Sequence, residues 1–99
     1  MSLNRYAKKR DQNEADIFEA LRAHGLSVEP IDTPADAIVG YGGRTYLVEV
    51  KRPKKRGQTA GKLTPTQEAF LETWKGDHTI LRTVEEATSF AQIVRSVFN

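Results

Sequence analysis

Two adjacent glycines between two alternating runs constrain this chain most. Gly42-Gly43 separates residues 36–41 from residues 44–51. Paired glycines accept the positive φ angles of a two-residue hairpin turn, so the pair predicts a β-hairpin. With Gly42-Gly43 as the loop, Tyr41 pairs with Arg44, and counting outward sets Asp36 opposite Glu49. A symmetric four-residue loop over 41–44 gives the same register. Directly opposite residues share a sheet face with Cβ atoms roughly 5 Å apart. Lys51, two residues beyond Glu49, joins that face. Tyr46, Val48 and Val50 alternate onto the other side and make a candidate core face.

The rest of the chain supplies partners for that hairpin. Residues 11–24 read as a helix closed by Gly25, and residues 26–31 as a short strand with Pro30 at an edge or an end. Residues 52–63 carry Pro, Gly and charge and read as a mobile loop. Residues 64–74 read as a helix: Thr64 is an N-cap, Pro65 suits the first helical position and Gln67 completes a capping box. Residues 77–82 read as a strand, and residues 83–86 form a second capping box that opens a last helix to about Val97. The order α-β-β-β-α-β-α predicts an α+β domain, a small mixed sheet flanked by helices. At 99 residues the chain holds one core: a basic N-terminal arm over 1–10 and a single domain over 11–99.

The absence of cysteine excludes a disulfide framework, a thiolate zinc site and a cysteine nucleophile. Apolar runs are only a few residues long, too short to cross a bilayer. The start of the chain lacks the apolar core of a secretory signal, so the cytoplasm is the expected location. Net charge is only +2, but ten of the fifteen basic residues fall in two short segments. Arg5, Lys8, Lys9 and Arg10 form one; Lys51, Arg52, Lys54, Lys55, Arg56 and Lys62 form the other. Such clusters suit a phosphate backbone, and they equally suit a solvated loop that keeps a protein dispersed.

Polar residues on apolar stripes carry more information. On the first helix Glu14 heads the stripe of Ile17, Phe18 and Leu21; on the second, Gln67 heads the stripe of Phe70, Leu71 and Trp74 with the same spacing. In the hairpin, two carboxylates face one another, which destabilises a sheet unless a cation lies between them. Hard cations such as Mg²⁺ take oxygen ligands, commonly one or two carboxylates with water. Plainer uses exist: Lys51 neutralising Glu49 on a solvent-facing sheet, Glu14 favoured by its helix dipole, Gln67 serving only as a cap.

Together Glu14, Asp36, Glu49-Val50-Lys51 and Gln67, on this element order, resemble the PD-(D/E)XK nuclease superfamily. The stretches PADAIVG, YLVEVKRP, LTPTQEAFL and LRTVEEA are most similar to the small VRR-NUC nucleases, with Holliday-junction resolvases as relatives. Pro34 and Asp36 are separated by Ala35 where the family often has them adjacent, and the segment between Glu14 and Asp36 is short. The resemblance implies a restriction-endonuclease-like core and an Mg²⁺- or Mn²⁺-dependent endonuclease that hydrolyses DNA phosphodiester bonds. It implies that Asp36, Glu49 and the Val50 carbonyl bind the metal. Glu14 would hold metal-bound water or a second metal, Lys51 would orient the attacking water or steady charge on the phosphate, and Gln67 would position Lys51 or the phosphate. It also implies branched DNA as a substrate and a phage or mobile-element origin.

Next to such a site, Arg52, Lys54, Lys55, Arg56 and Lys62 are candidate phosphate contacts, and Lys8, Lys9 and Arg10 a candidate arm on the duplex. A domain this small does not enclose a duplex, so a homodimer is expected, with Ile93, Val94 and Val97 as candidate contacts or simply core. Trp74, Phe90 and Phe98 read as core or dimer surface. His24 and His78 lack partners at metal-ligand spacing and read as structural. The rival expectation is a nucleic-acid-binding module, or a subunit of a larger nuclease, that keeps the fold without cutting.

Overall fold

The computed structural model describes residues 12–97, so Arg5, Lys8, Lys9, Arg10 and Phe98 lie outside the described residues. The elements are α1 (Gln12–Ala23), β1 (Ser27–Pro30), β2 (Ala37–Tyr41), β3 (Arg44–Val50), α2 (Pro65–Thr73), β4 (His78–Leu81) and α3 (Val84–Ser96). This is the α-β-β-β-α-β-α order expected, in an α+β fold. The sheet runs β1-β2-β3-β4, antiparallel except for the parallel β3–β4 pair. A parallel pair needs a crossover, and residues 51–77, including α2, provide it.

Local chemistry explains the boundaries. Gly25 ends α1 at φ +89°, with Gly25 N–H on Arg22 O (2.9 Å) and Leu26 N–H on Leu21 O (3.2 Å). That is a Schellman closure, and its apolar contact joins two core residues, Leu21 and Leu26. Gly42 and Gly43, at φ +60° and +81°, form the hairpin turn, and the register is the one counted from the sequence: Tyr41 with Arg44, Ala37 with Val48. Thr64 and Gln67 form the expected capping box on α2. The one expected on α3 is only half made. Thr83 accepts from Glu86 N–H, but the Glu86 carboxylate reaches one residue further back, to Arg82 N–H at 2.7 Å.

The core lies on one face of the sheet. Ala37, Val39, Tyr46 and Val48 point to it, and α1 and α3 cover it with Ile17, Phe18, Leu21, Ala87, Ala91 and Val94. Phe90 packs edge-on against Tyr46. Full burial of an aliphatic side chain contributes about 1.5–3 kcal/mol, so Ile17 and Leu21, both wholly buried, anchor α1. The opposite face carries Ile38, Leu47 and Glu49, and α2 reaches it through Gln67 on Glu49. There the expected core stripe is corrected. No residue of α2 is buried; Phe70 and Leu71 are half-covered and Trp74 stays 41% exposed. The helix lies over a partly polar face, and among the described residues no further layer covers it. On α3, Val94 is core, whereas Ile93 and Val97 face outward. Among the described residues no helix is long and apolar enough to cross a membrane.

Candidate metal centre and nucleic-acid interface

The β2–β3 ladder ends at Ala37–Val48, and Asp36 stands one residue beyond it. Its N–H turns to Val48 O (3.1 Å), so β2 does not simply continue opposite Glu49. In place of the missing strand, the Asp36 carboxylate closes the hydrogen bond: Oδ2 accepts Val50 N–H at 2.8 Å. The carboxylate therefore rests on the peptide that links Glu49 to Val50. Both Asp36 and Glu49 are 2% exposed, an unusual cost for two acids unless their charge is met by donors or a cation.

Glu49 belongs to a second set of contacts. Its Oε2 accepts Gln67 Nε2–H at 2.8 Å and lies 3.8 Å from Lys51 Nζ. The Gln67 amide is engaged at both ends, because Oε1 also accepts Thr64 N–H at 2.8 Å. Gln67 thus acts on Glu49, fixing its carboxylate from the α2 side. This differs from the role the resemblance implies, in which Gln67 meets Lys51 or the phosphate. Lys51 is anchored by its own N–H to Leu81 O (3.1 Å), at the end of β4, while its side chain stays partly open to solvent.

Glu14 heads the buried stripe of α1, as its spacing predicts, and is 4% exposed. It sits on α1, which covers the core face, whereas Gln67 comes from the opposite one. Its Oε1 is buried without a hydrogen-bond donor, although the residue makes other contacts. Among the described residues no three His, Cys, Asp or Glu side chains gather closely enough to hold one ion. Glu14, Asp36 and Glu49 are therefore not a three-carboxylate cage. The donors that fit a hard cation are the carboxylates of Asp36 and Glu49 and the Val50 carbonyl, a set that suits Mg²⁺ completed by water.

The basic segment leaves this site at once. Lys54, Lys55, Arg56 and Lys62 are exposed on the loop after β3. Arg52 differs from expectation: its guanidinium folds back onto Gln58 Oε1 (3.4 Å) and Thr59 O, inside the loop. Sequence reasoning missed Arg82. Its Nη1 donates to Arg52 O (2.9 Å) and Gly61 O (2.7 Å), across separations in sequence that no local pattern reveals. The two histidines sit apart from these groups. His24 Nδ1 lies 2.9 Å from Ala20 O, and half-buried His78, at the start of β4, has its pKa lowered because burial disfavours the imidazolium.

No family model, curated protein or solved structure matches this chain.

Proposed function

We propose that this protein is a divalent-metal-dependent nuclease that hydrolyses phosphodiester bonds in DNA. The observation that carries the reading is the placement of two almost fully buried carboxylates along one strand end. Asp36 lies on the Glu49–Val50 peptide, and Glu49 lies beside the Lys51 amine. Asp36, Glu49 and the Val50 carbonyl would hold Mg²⁺ or Mn²⁺, which when bound lowers the pKa of water and polarises phosphoryl oxygens. Gln67 holds the Glu49 carboxylate in one orientation. Lys51 supplies a positive charge next to the scissile phosphate and orients the attacking water. Lys54, Lys55, Arg56 and Lys62 supply phosphate contacts on the flanking backbone.

A branched substrate and action as a homodimer belong to the same proposal. The outward Ile93 and Val97 on α3, 65% and 54% exposed, are among the apolar residues available to a second copy. The test is incubation of the purified protein with labelled linear, flapped and four-way DNA in Mg²⁺, Mn²⁺ or EDTA. Metal-dependent products that disappear with Asp36→Ala and with Lys51→Ala are expected. Tight, metal-independent binding without products on every substrate would replace the nuclease by the non-cutting module.

A further inference from the structure

We propose that Arg82 is a positioning residue that holds the basic loop as a closed, preformed grip for a nucleic-acid phosphate backbone. This rests on the nuclease reading and deepens it, because it assigns how the phosphate-binding surface is kept in shape beside the site.

The loop closes on itself at its base. Gly61 N–H donates to Arg52 O at 2.9 Å, and Arg82 Nη1 donates to the carbonyls of both residues. The two backbones approach so closely that a Cβ on Gly61 would lie 2.9 Å from Arg52 N, so only glycine fits there without a shift. Arg82 is itself held at both ends of its backbone. Its N–H donates to Glu86 Oε1 (2.7 Å), in the first turn of α3, and its carbonyl accepts Asn13 Nδ2–H (3.1 Å), in the first turn of α1. One guanidinium thus fastens the loop to the two helices that cover the core.

The loop is also ordered inside. Arg52 bonds Gln58 and Thr59, and Gln58 N–H donates to Lys55 O (2.9 Å) across a turn with Gly57 at φ +76°. These bonds use backbone groups and the side chains of Arg52 and Gln58. The charges of Lys54, Lys55 and Arg56 are left on the outside. A loop closed in advance pays little ordering entropy when those charges meet phosphates. Both bonds come from one guanidinium nitrogen, Nη1, whose two hydrogens are shared between the two carbonyls.

The test compares Arg82→Gln, Arg82→Lys, the triple variant Lys54→Ala/Lys55→Ala/Arg56→Ala, and the triple variant combined with Arg82→Gln. Affinity for a short labelled DNA duplex is measured over a salt series, in Ca²⁺ and in EDTA. Tryptic cleavage within the loop is measured without DNA. The triple variant should flatten the plot of log affinity against log salt by about 0.9 for each phosphate it no longer neutralises. Arg82→Gln should weaken binding and flatten the same plot, speed tryptic cleavage at the loop, and have no further effect in the triple background. Arg82→Lys should recover part of the affinity.

Additive losses would overturn the inference, since Arg82 would then touch phosphate itself. Unchanged affinity in Arg82→Gln, or unchanged tryptic cleavage, would overturn it too. If Arg82→Gln does not fold, Gly61→Ala opens the base of the loop from the other side and is held to the same outcomes. Absence of salt-dependent binding by the unaltered protein would remove the nucleic-acid reading and this inference together. That result is distinct from normal binding that ignores Arg82.

Discussion

Asp36 has one role in the fold and another in the proposed metal site, and two substitutions pull them apart. Its Oδ2 accepts the Val50 N–H at 2.8 Å in a place where the side chain is 2% exposed. Asp36→Ala leaves that N–H without an acceptor, which costs about 1–3 kcal/mol. For a domain of this size each kcal/mol moves the midpoint by about 4–8 °C, so a fall of several degrees or more is expected in metal-free buffer. Asp36→Asn keeps an amide oxygen that can accept the same N–H, and it removes a negative charge close to Glu49. Its midpoint without metal should match or exceed that of the unaltered protein. Metal reverses the order. A cation at ten times its dissociation constant stabilises the protein that binds it by about 1.4 kcal/mol, and Asp36→Asn should show no such rise. Thermal denaturation followed by circular dichroism, with EDTA and then with Mg²⁺, measures both effects. If Asp36→Asn loses as much stability as Asp36→Ala in EDTA, the charge serves the fold and the metal argument fails. The same holds if Asp36→Asn keeps the full Mg²⁺ shift.

Three further outcomes are expected. Gln67→Ala removes the bond to Glu49 and the Thr64 leg of the capping box, costing about 1–2 kcal/mol in denaturant titrations. It should slow cleavage more than it weakens DNA binding, because Gln67 acts through Glu49. His78 has a folded-state pKa below its unfolded value of about 6.5, so the unfolded chain takes up a proton more readily. Its contribution is therefore complete above that value and is lost as pH falls through the folded-state pKa; His78→Asn should flatten this part of a stability-against-pH curve. In Gly76→Ala, a Cβ would lie 2.5 Å from the Trp74 ring, so the indole must swing away from its stack on Phe70. Trp74 is the only tryptophan, and a shift of its fluorescence maximum reports that movement directly.

The hairpin was legible because its determinants are local. Two glycines set the turn, the turn set the register, and period-two alternation then sorted Tyr46 and Val48 from Leu47 and Glu49. Gly25 and Thr64 were legible for the same reason, as end signals that act within five residues. What was not legible depends on distant groups. Counting outward put Asp36 opposite Glu49, but nothing in the pattern shows that its N–H turns to Val48 O and its carboxylate to Val50. The apolar spacing of Phe70, Leu71 and Trp74 says that one side of α2 faces protein; it does not say that the sheet beneath is partly polar and the helix half-covered. Arg82 looks like any charge at a strand end, and its partners are backbone carbonyls, which no residue pattern encodes.

The central claim is that Asp36 and Glu49 hold a divalent cation beside Lys51. Paramagnetic broadening of backbone amide resonances by Mn²⁺ tests it without a substrate and without tight binding. The amides of Val50 and Lys51 should broaden first in the unaltered protein, Mg²⁺ should compete the effect away, and Asp36→Asn and Glu49→Gln should each abolish it. Broadening centred elsewhere, or persisting at Val50 and Lys51 in both variants, would contradict the account.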